Sequence, residues 1–177
     1  MSVSSPFNIM ATATGTGSAS AITFSSIPQT YKSLVIIGQV KSVLGSGNDG
    51  FYVKVNGDTT TAHYSGKSTY NFNGTNSYQD YYNSYSGWYV TGVPSTGWYA
   101  DKLGWIELTF PNYTQSSGWQ LMQAETGVQN TNNVEAILTQ ASGAYTNSTP
   151  AALTELTLTL FSGYWTTDSN ITMYGLG

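Results

Sequence analysis

The sequence predicts an all-β fold: a single antiparallel β-sandwich, jelly-roll-like in its connections, of about eight strands, preceded by an extended N-terminal arm. Three observations predict it. Apolar and polar residues alternate with period two: Phe51, Val53 and Val55 against Tyr52 and Lys54; Ile106, Leu108 and Phe110 against Trp105, Glu107 and Thr109; Leu156, Leu158 and Leu160 against Glu155, Thr157 and Thr159. Each is the pattern of a strand with one buried face. Turn-forming residues punctuate these runs, with Asn48-Asp-Gly50 and Asn56-Gly57 tolerating positive φ and Pro28, Pro94, Pro111 and Pro150 falling between them. No convincing helix is present, so the crossovers of a doubly wound α/β fold are missing.

Residues 1–20 are small and polar, as in Ala11-Thr-Ala-Thr-Gly-Thr-Gly-Ser-Ala-Ser20. They read as an arm that orders only when something packs on it, with Phe7, Ile9 and Met10 as apolar anchors for the shell of an assembly or a sister subunit. The sandwich domain then spans 21–177. Strands fit at 21–25, 34–43, 51–55, 87–91, 105–110, 118–126, 156–160 and 171–174. Residues 134–140 also suit a helical face through Val134, Ile137 and Leu138; nothing caps a helix there, which favours a strand. Residues 64–99 hold eight of the fourteen tyrosines and two of the five tryptophans among Ser, Asn and Gly. This stretch reads as an insertion or long loop over the sandwich. Rings beside amides and hydroxyls make good contact surfaces, which marks Tyr78, Tyr81, Tyr82, Tyr85, Trp88, Tyr89 and Trp98.

Composition narrows the function. The chain has 177 residues and no cysteine, so disulfides, thiolate metal sites and thiol nucleophiles are excluded. Its five basic residues are all lysines and its net charge is −4, which disfavours a nucleic-acid partner. Met1-Ser-Val-Ser-Ser-Pro-Phe7 lacks the basic and apolar regions of a secretory signal, and the apolar run Leu34–Ile37 is far too short to span a bilayer. Synthesis in a cytoplasm and no membrane partner are therefore expected. Sequons at Asn73, Asn112, Asn147 and Asn170 are expected by chance in so Asn- and Thr-rich a chain.

Enzymatic chemistry finds little to use. His63 is the sole histidine, and no Gly-x-Ser-x-Gly elbow precedes a helix. Gly15-Thr-Gly17 lacks the rest of a phosphate loop. Glu107, Glu125, Glu135, Glu155, Asp58, Asp80, Asp101 and Asp168 offer carboxylates, but alternation puts Glu107 and Glu155 on a wet face. Asn48/Asp49, Asn56/Asp58 and Asp168/Asn170 match no calcium loop. No catalytic residue, metal or cofactor is expected.

Five segments carry a resemblance. Ile22-Thr-Phe24-Ser-Ser-Ile27-Pro28-Gln-Thr-Tyr31-Lys-Ser-Leu34 resembles the F-x-x-I-P-x-T-Y-x-x-L opening of a group of small β-sandwich virion proteins of tailed bacteriophages. Val55-Asn-Gly-Asp58 is similar to that group's F-N-G-D hairpin, and Leu108-Thr-Phe-Pro-Asn-Tyr113 to its I-x-x-Y strand exit. Leu156-Thr-Leu-Thr-Leu-Phe161 and Ser169-Asn-Ile-Thr-Met-Tyr174-Gly-Leu176 resemble its closing strands. Lys41-Ser42 stands where the group commonly has Arg, and the Tyr/Trp-rich stretch has no counterpart. The resemblance implies a non-enzymatic virion protein: a capsid decoration (cement) protein, trimeric on the major capsid protein, or alternatively a tail-fibre or spike domain that recognises a host glycan.

Overall fold

In the computed structural model, which describes residues 6–72, 76–98, 100–129 and 136–177, the described residues form twelve strands and one 3-10 turn. The strands are β1 (Phe7–Thr14), β2 (Ala21–Phe24), β3 (Ser33–Val40), β4 (Asn48–Val55), β5 (Tyr64–Phe72), β6 (Asn76–Tyr82), β7 (Trp88–Pro94), β8 (Gly104–Pro111), β9 (Gln120–Gln129), β10 (Ala136–Tyr145), β11 (Leu156–Leu160) and β12 (Asn170–Leu176). An eight-stranded sheet runs β1-β12-β3-β8-β9-β10-β5-β6 and faces a four-stranded sheet β2-β11-β4-β7, every ladder antiparallel. Strands β1, β2, β3, β4, β7, β8, β11 and β12 have the order of an eight-stranded jelly roll, β1-β12-β3-β8 facing β2-β11-β4-β7, and β9, β10, β5 and β6 extend the large sheet beyond β8. The all-β sandwich is as expected; the strand number is twelve rather than about eight.

The core lies between the sheets. β11 sits centrally in the small sheet and points Leu156, Leu158 and Leu160 inward beside Phe51, Val53 and Val55 of β4. Across the gap lie Leu34 and Ile36 of β3, Ile106, Leu108 and Phe110 of β8, and Ile171 and Met173 of β12. Leu158 is fully buried, whereas Thr157 faces outward with its hydroxyl 2.9 Å from that of Thr23. Leu158→Ala is therefore expected to cost about 2–5 kcal/mol, against under about 0.5 kcal/mol for Thr157→Ala, in urea titrations. Equal costs would put the register of β11 in error.

Three expectations need correcting. The segment read as an arm is an edge strand: β1 pairs with β12 from Phe7↔Leu176 to Thr14↔Asn170, and Met10, Ala11 and Ala13 pack against the core. The chain stays tied beyond it, since the Gly15 and Gly17 amides donate to the Ser169 and Trp165 carbonyls at 3.0 and 2.8 Å. The aromatic-rich stretch is strand rather than long loop: it supplies β5, β6 and β7, of which β5 and β6 extend the large sheet at the edge opposite β1. Asn48-Asp-Gly50 is not a turn either: it opens β4, and β7 bulges opposite it, with Gly92 (φ 93°) as the extra residue between the pairs Asp49↔Val93 and Gly50↔Thr91. Gly50 leaves no room for a side chain, because a Cβ there would lie 2.4 Å from the Phe161 ring and 2.7 Å from the Val90 carbonyl oxygen. Of the doubtful segment 134–140, Val134 lies outside the described residues, and from Ala136 onward it is strand.

One end of the sandwich is knit from segments far apart in sequence. The Tyr113 hydroxyl donates to the Pro28 carbonyl, and the Leu153 amide donates to the Tyr113 carbonyl at 2.9 Å. Lys32 N–H reaches Leu176 O at 2.8 Å, and the Tyr31 ring fills the space over Gly175, where a Cβ would come within 2.2 Å of it. At Val55–Asp58, Asn56 and Gly57 take the positive φ values of 51° and 70° foreseen for that turn, and Asn56 N–H donates to Glu155 O just ahead of β11.

Candidate functional site

The marked aromatic residues divide into two sets. Trp88 is fully buried and Tyr82 nearly so, which removes both from any contact surface. Inward-facing Trp88 meets Tyr64 edge-on at 5.9 Å and Phe110 at 6.0 Å. Tyr89 is half-buried on the outer face of the small sheet, stacked on Phe161 (5.0 Å, 14°) and Tyr85 (5.1 Å, 26°). Burial, then the nearby Asp80 charge, pushes the Tyr89 phenol up to about 12. The rings left exposed are Tyr78, Tyr81, Tyr85 and Trp98. Tyr78 stacks on Tyr70 at 5.1 Å, and Tyr81, 76% exposed, carries the Lys67 ammonium 5.5 Å above its ring.

The three N-terminal anchors also separate. Phe7 is exposed and meets the Tyr174 ring edge-on at 5.8 Å, Ile9 is 72% exposed, and Met10 is partly buried against the core. Phe7 and Ile9 thus present apolar surface along the outer edge of the large sheet.

His63 ends the 3-10 turn Thr61–His63 and places its Nδ1 2.6 Å from Asp58 Oδ2. Asp58 is a hydrogen-bonding hub. It also accepts hydrogen bonds from the Tyr145 hydroxyl (2.7 Å) and the Thr60 amide (2.7 Å), and its carbonyl accepts the Tyr64 hydroxyl at 2.8 Å. These bonds fasten the link between the two sheets to the end of β10. Burial works to raise the Asp58 carboxyl, but hydrogen bonds from His63, the Thr60 amide and Tyr145 outweigh it and hold the group well below the usual carboxylate range.

That shift has a sign in stability. In the unfolded chain Asp58 titrates near about 3.9. Below that pH the unfolded state takes up the proton first, so stability falls as pH falls toward the lower native value. The contribution is complete above about pH 5 and drains away on acidification. Urea midpoints measured down this range are expected to fall less steeply for Asp58→Asn than for the parent. Parallel slopes would show that Asp58 adds no acid sensitivity.

Of the other carboxylates, Glu107 and Glu125 stand opposite each other on β8 and β9, and among the described residues no three His, Cys, Asp or Glu side chains gather as a metal would need. Asp49 is buried and structural, accepting from Ser42 Oγ at 2.8 Å and the Gly163 amide at 2.9 Å. Glu135 lies outside the described residues.

Sequence reasoning missed a surface that only pairing assembles. On the outer face of the large sheet the rows Trp105↔Gly127↔Leu138↔Asn71 and Glu107↔Glu125↔Gln140↔Thr69 lie side by side. They border two adjoining depressions of about 450 and 500 Å³ that share Thr69, Glu125 and Gln140. Alternation had put Trp105 and Glu107 outward; their neighbours come from three other strands. No family model, curated protein or solved structure matches the chain.

Proposed function

We propose that the protein is a non-enzymatic structural protein of a tailed-bacteriophage virion, a decoration (cement) protein that binds the major capsid protein as a homotrimer. The observation that carries this reading is the convergence at one end of the sandwich. Four segments that resemble the phage group, around Pro28–Tyr31, Val55–Asp58, Tyr113 and Gly175–Leu176, lie far apart in sequence yet are tied there. Tyr31 and Tyr113 bond and pack against the backbone of neighbouring segments, and Asn56 and Leu176 join by backbone bonds. Residues used this way preserve an architecture, which is what a shared particle fold requires.

Attachment then falls to the surface. β1 forms one edge of the large sheet, and an edge strand offers unpaired backbone groups to a neighbouring chain. Phe7 and Ile9 add apolar area beside it. With only five lysines, binding rests on apolar and backbone terms and is expected to be weakly salt-sensitive. Many weak contacts by linked subunits suffice on a shell.

The test is quantitative mass spectrometry of purified particles, with rebinding of the protein to particles that lack it. Copies on the order of hundreds per particle are expected, as repeated weak attachment requires. The double variant Phe7→Ser, Ile9→Ser is expected to fold yet bind depleted particles at least about tenfold more weakly. A few dozen copies or fewer, placed at the tail, would overturn the decoration role in favour of a receptor-binding domain. Undiminished rebinding of the double variant would remove β1 as the attachment edge.

A further inference from the structure

Trp105 is a large ring held in an unusual place. It points outward from β8, is 42% exposed, and lies opposite Gly127 of β9. A Cβ on Gly127 would sit 2.4 Å from the indole Nε1 and 2.8 Å from Cε2, so the missing side chain is what lets the indole settle over the strand. Leu138, 58% exposed on β10, closes the row: its Cδ2 would be 3.1 Å from the same Cβ. The result is an apolar platform built onto a polar sheet face.

Beside it, Glu107 and Glu125 stand directly opposite each other, a pairing of like charges that destabilises a sheet. Gln140 Nε2 donates to Glu125 Oε1 at 3.2 Å, while Lys67, which also lines the depression, holds its ammonium over the Tyr81 ring. Gln123 lies one row further along. The surface thus combines a platform, two acceptor-rich carboxylates and two amides that both donate and accept, around depressions of the size that small ligands occupy.

We infer that this face binds a neutral oligosaccharide, with one sugar ring on Trp105 and hydroxyls on Glu107, Glu125 and Gln140. A pyranose has a C–H-rich face that packs on an aromatic ring and hydroxyls around its rim that donate to carboxylates. Hydroxyl donors between Glu107 and Glu125 offset their repulsion without bringing in charge. An acidic sugar meets two carboxylates against the single Lys67 ammonium, which is engaged over Tyr81, and is repelled on balance. A protein partner would have to bury the carboxylate pair, at a desolvation cost that the two apolar side chains here do little to offset. From β8 to β5 the face spans three strand spacings, about 14 Å, which accommodates a short chain of sugars rather than a single ring. The site does not depend on where in a particle the chain sits.

The test titrates the full-length protein with maltotriose, cellotriose, mannotriose and triacetylchitotriose, and with sialyllactose as the acidic probe, following tryptophan fluorescence and calorimetric heat. At least one neutral sugar is expected to bind saturably, with sialyllactose at least about tenfold weaker. Trp105→Ala is expected to weaken binding at least about tenfold and Glu125→Gln about fivefold, with Trp119→Ala, at another exposed tryptophan, unchanged. Glu125→Gln keeps shape and size, so its effect is separable from misfolding, which circular dichroism checks in all three variants. Binding by none of the neutral sugars, equal binding of sialyllactose, or full binding by Trp105→Ala would each overturn the site.

Discussion

Trp88→Ala is expected to cost about 3–5 kcal/mol, a large part of the about 5–15 kcal/mol by which a domain is stable. Trp88 is fully buried where β7 meets the large sheet, among Tyr64, Phe110 and Tyr145. Gly143 of β10 leaves room for it: a Cβ there would stand 2.2 Å from the indole Cδ1. A site shaped on both sides to one ring cannot close around a methyl group, so a cavity remains and its cost adds to the lost burial. Trp119→Ala, at a ring 61% exposed, is the control and is expected to shift stability by under about 0.5 kcal/mol. Urea unfolding of the two variants decides the matter. A cost under about 1 kcal/mol for Trp88→Ala would mean that the ring is not the centre of the core.

Removal of β1 is expected to have an effect as large, by another route. A chain that begins at Gly15 leaves the backbone edge of β12 bare from Asn170 to Leu176 and uncovers core beneath Met10, Ala11 and Ala13. Bare edges recruit other chains. The shortened protein is expected to elute as aggregates or to unfold at markedly lower urea than the parent. A soluble monomer with the parent's midpoint would show that β1 is an ornament of the sheet. Loss of particle binding on deleting β1 would therefore report folding as much as attachment, which is why the outward-facing Phe7 and Ile9 are the sharper probes.

The strands with strong contrast between their faces were legible in the sequence. Leu156, Leu158 and Leu160 alternate with threonines, and β11 spans the expected residues; β8 likewise follows from Ile106, Leu108 and Phe110. Asn56-Gly57 also takes its expected turn, because few other residue pairs adopt two positive φ angles cheaply. Class and core could be read because a buried face must be apolar at every second position, and that requirement is written locally.

What local pattern could not carry was decided by pairing. β1, β5 and β6 are runs of Ala, Thr, Ser, Asn and Tyr with little contrast between faces; they are strands because β12 and β10 present ladders to pair with. Asn48-Asp-Gly50 has the composition of a turn but becomes strand because β7 pairs with all three residues, bulging at Gly92 to do so. Nothing near Trp88 or Trp98 in sequence says that the first is core and the second exposed; Gly143, more than fifty residues downstream, makes the room. The outer face depends on register in the same way. Sequence alone placed Trp105 and Glu107 on a wet side of β8, and only the alignment of β8, β9 and β10 set Gly127 under the indole and Glu125 opposite Glu107. Periodicity is a property of one strand, whereas a surface belongs to several, and their alignment is settled by the energy of the whole sheet.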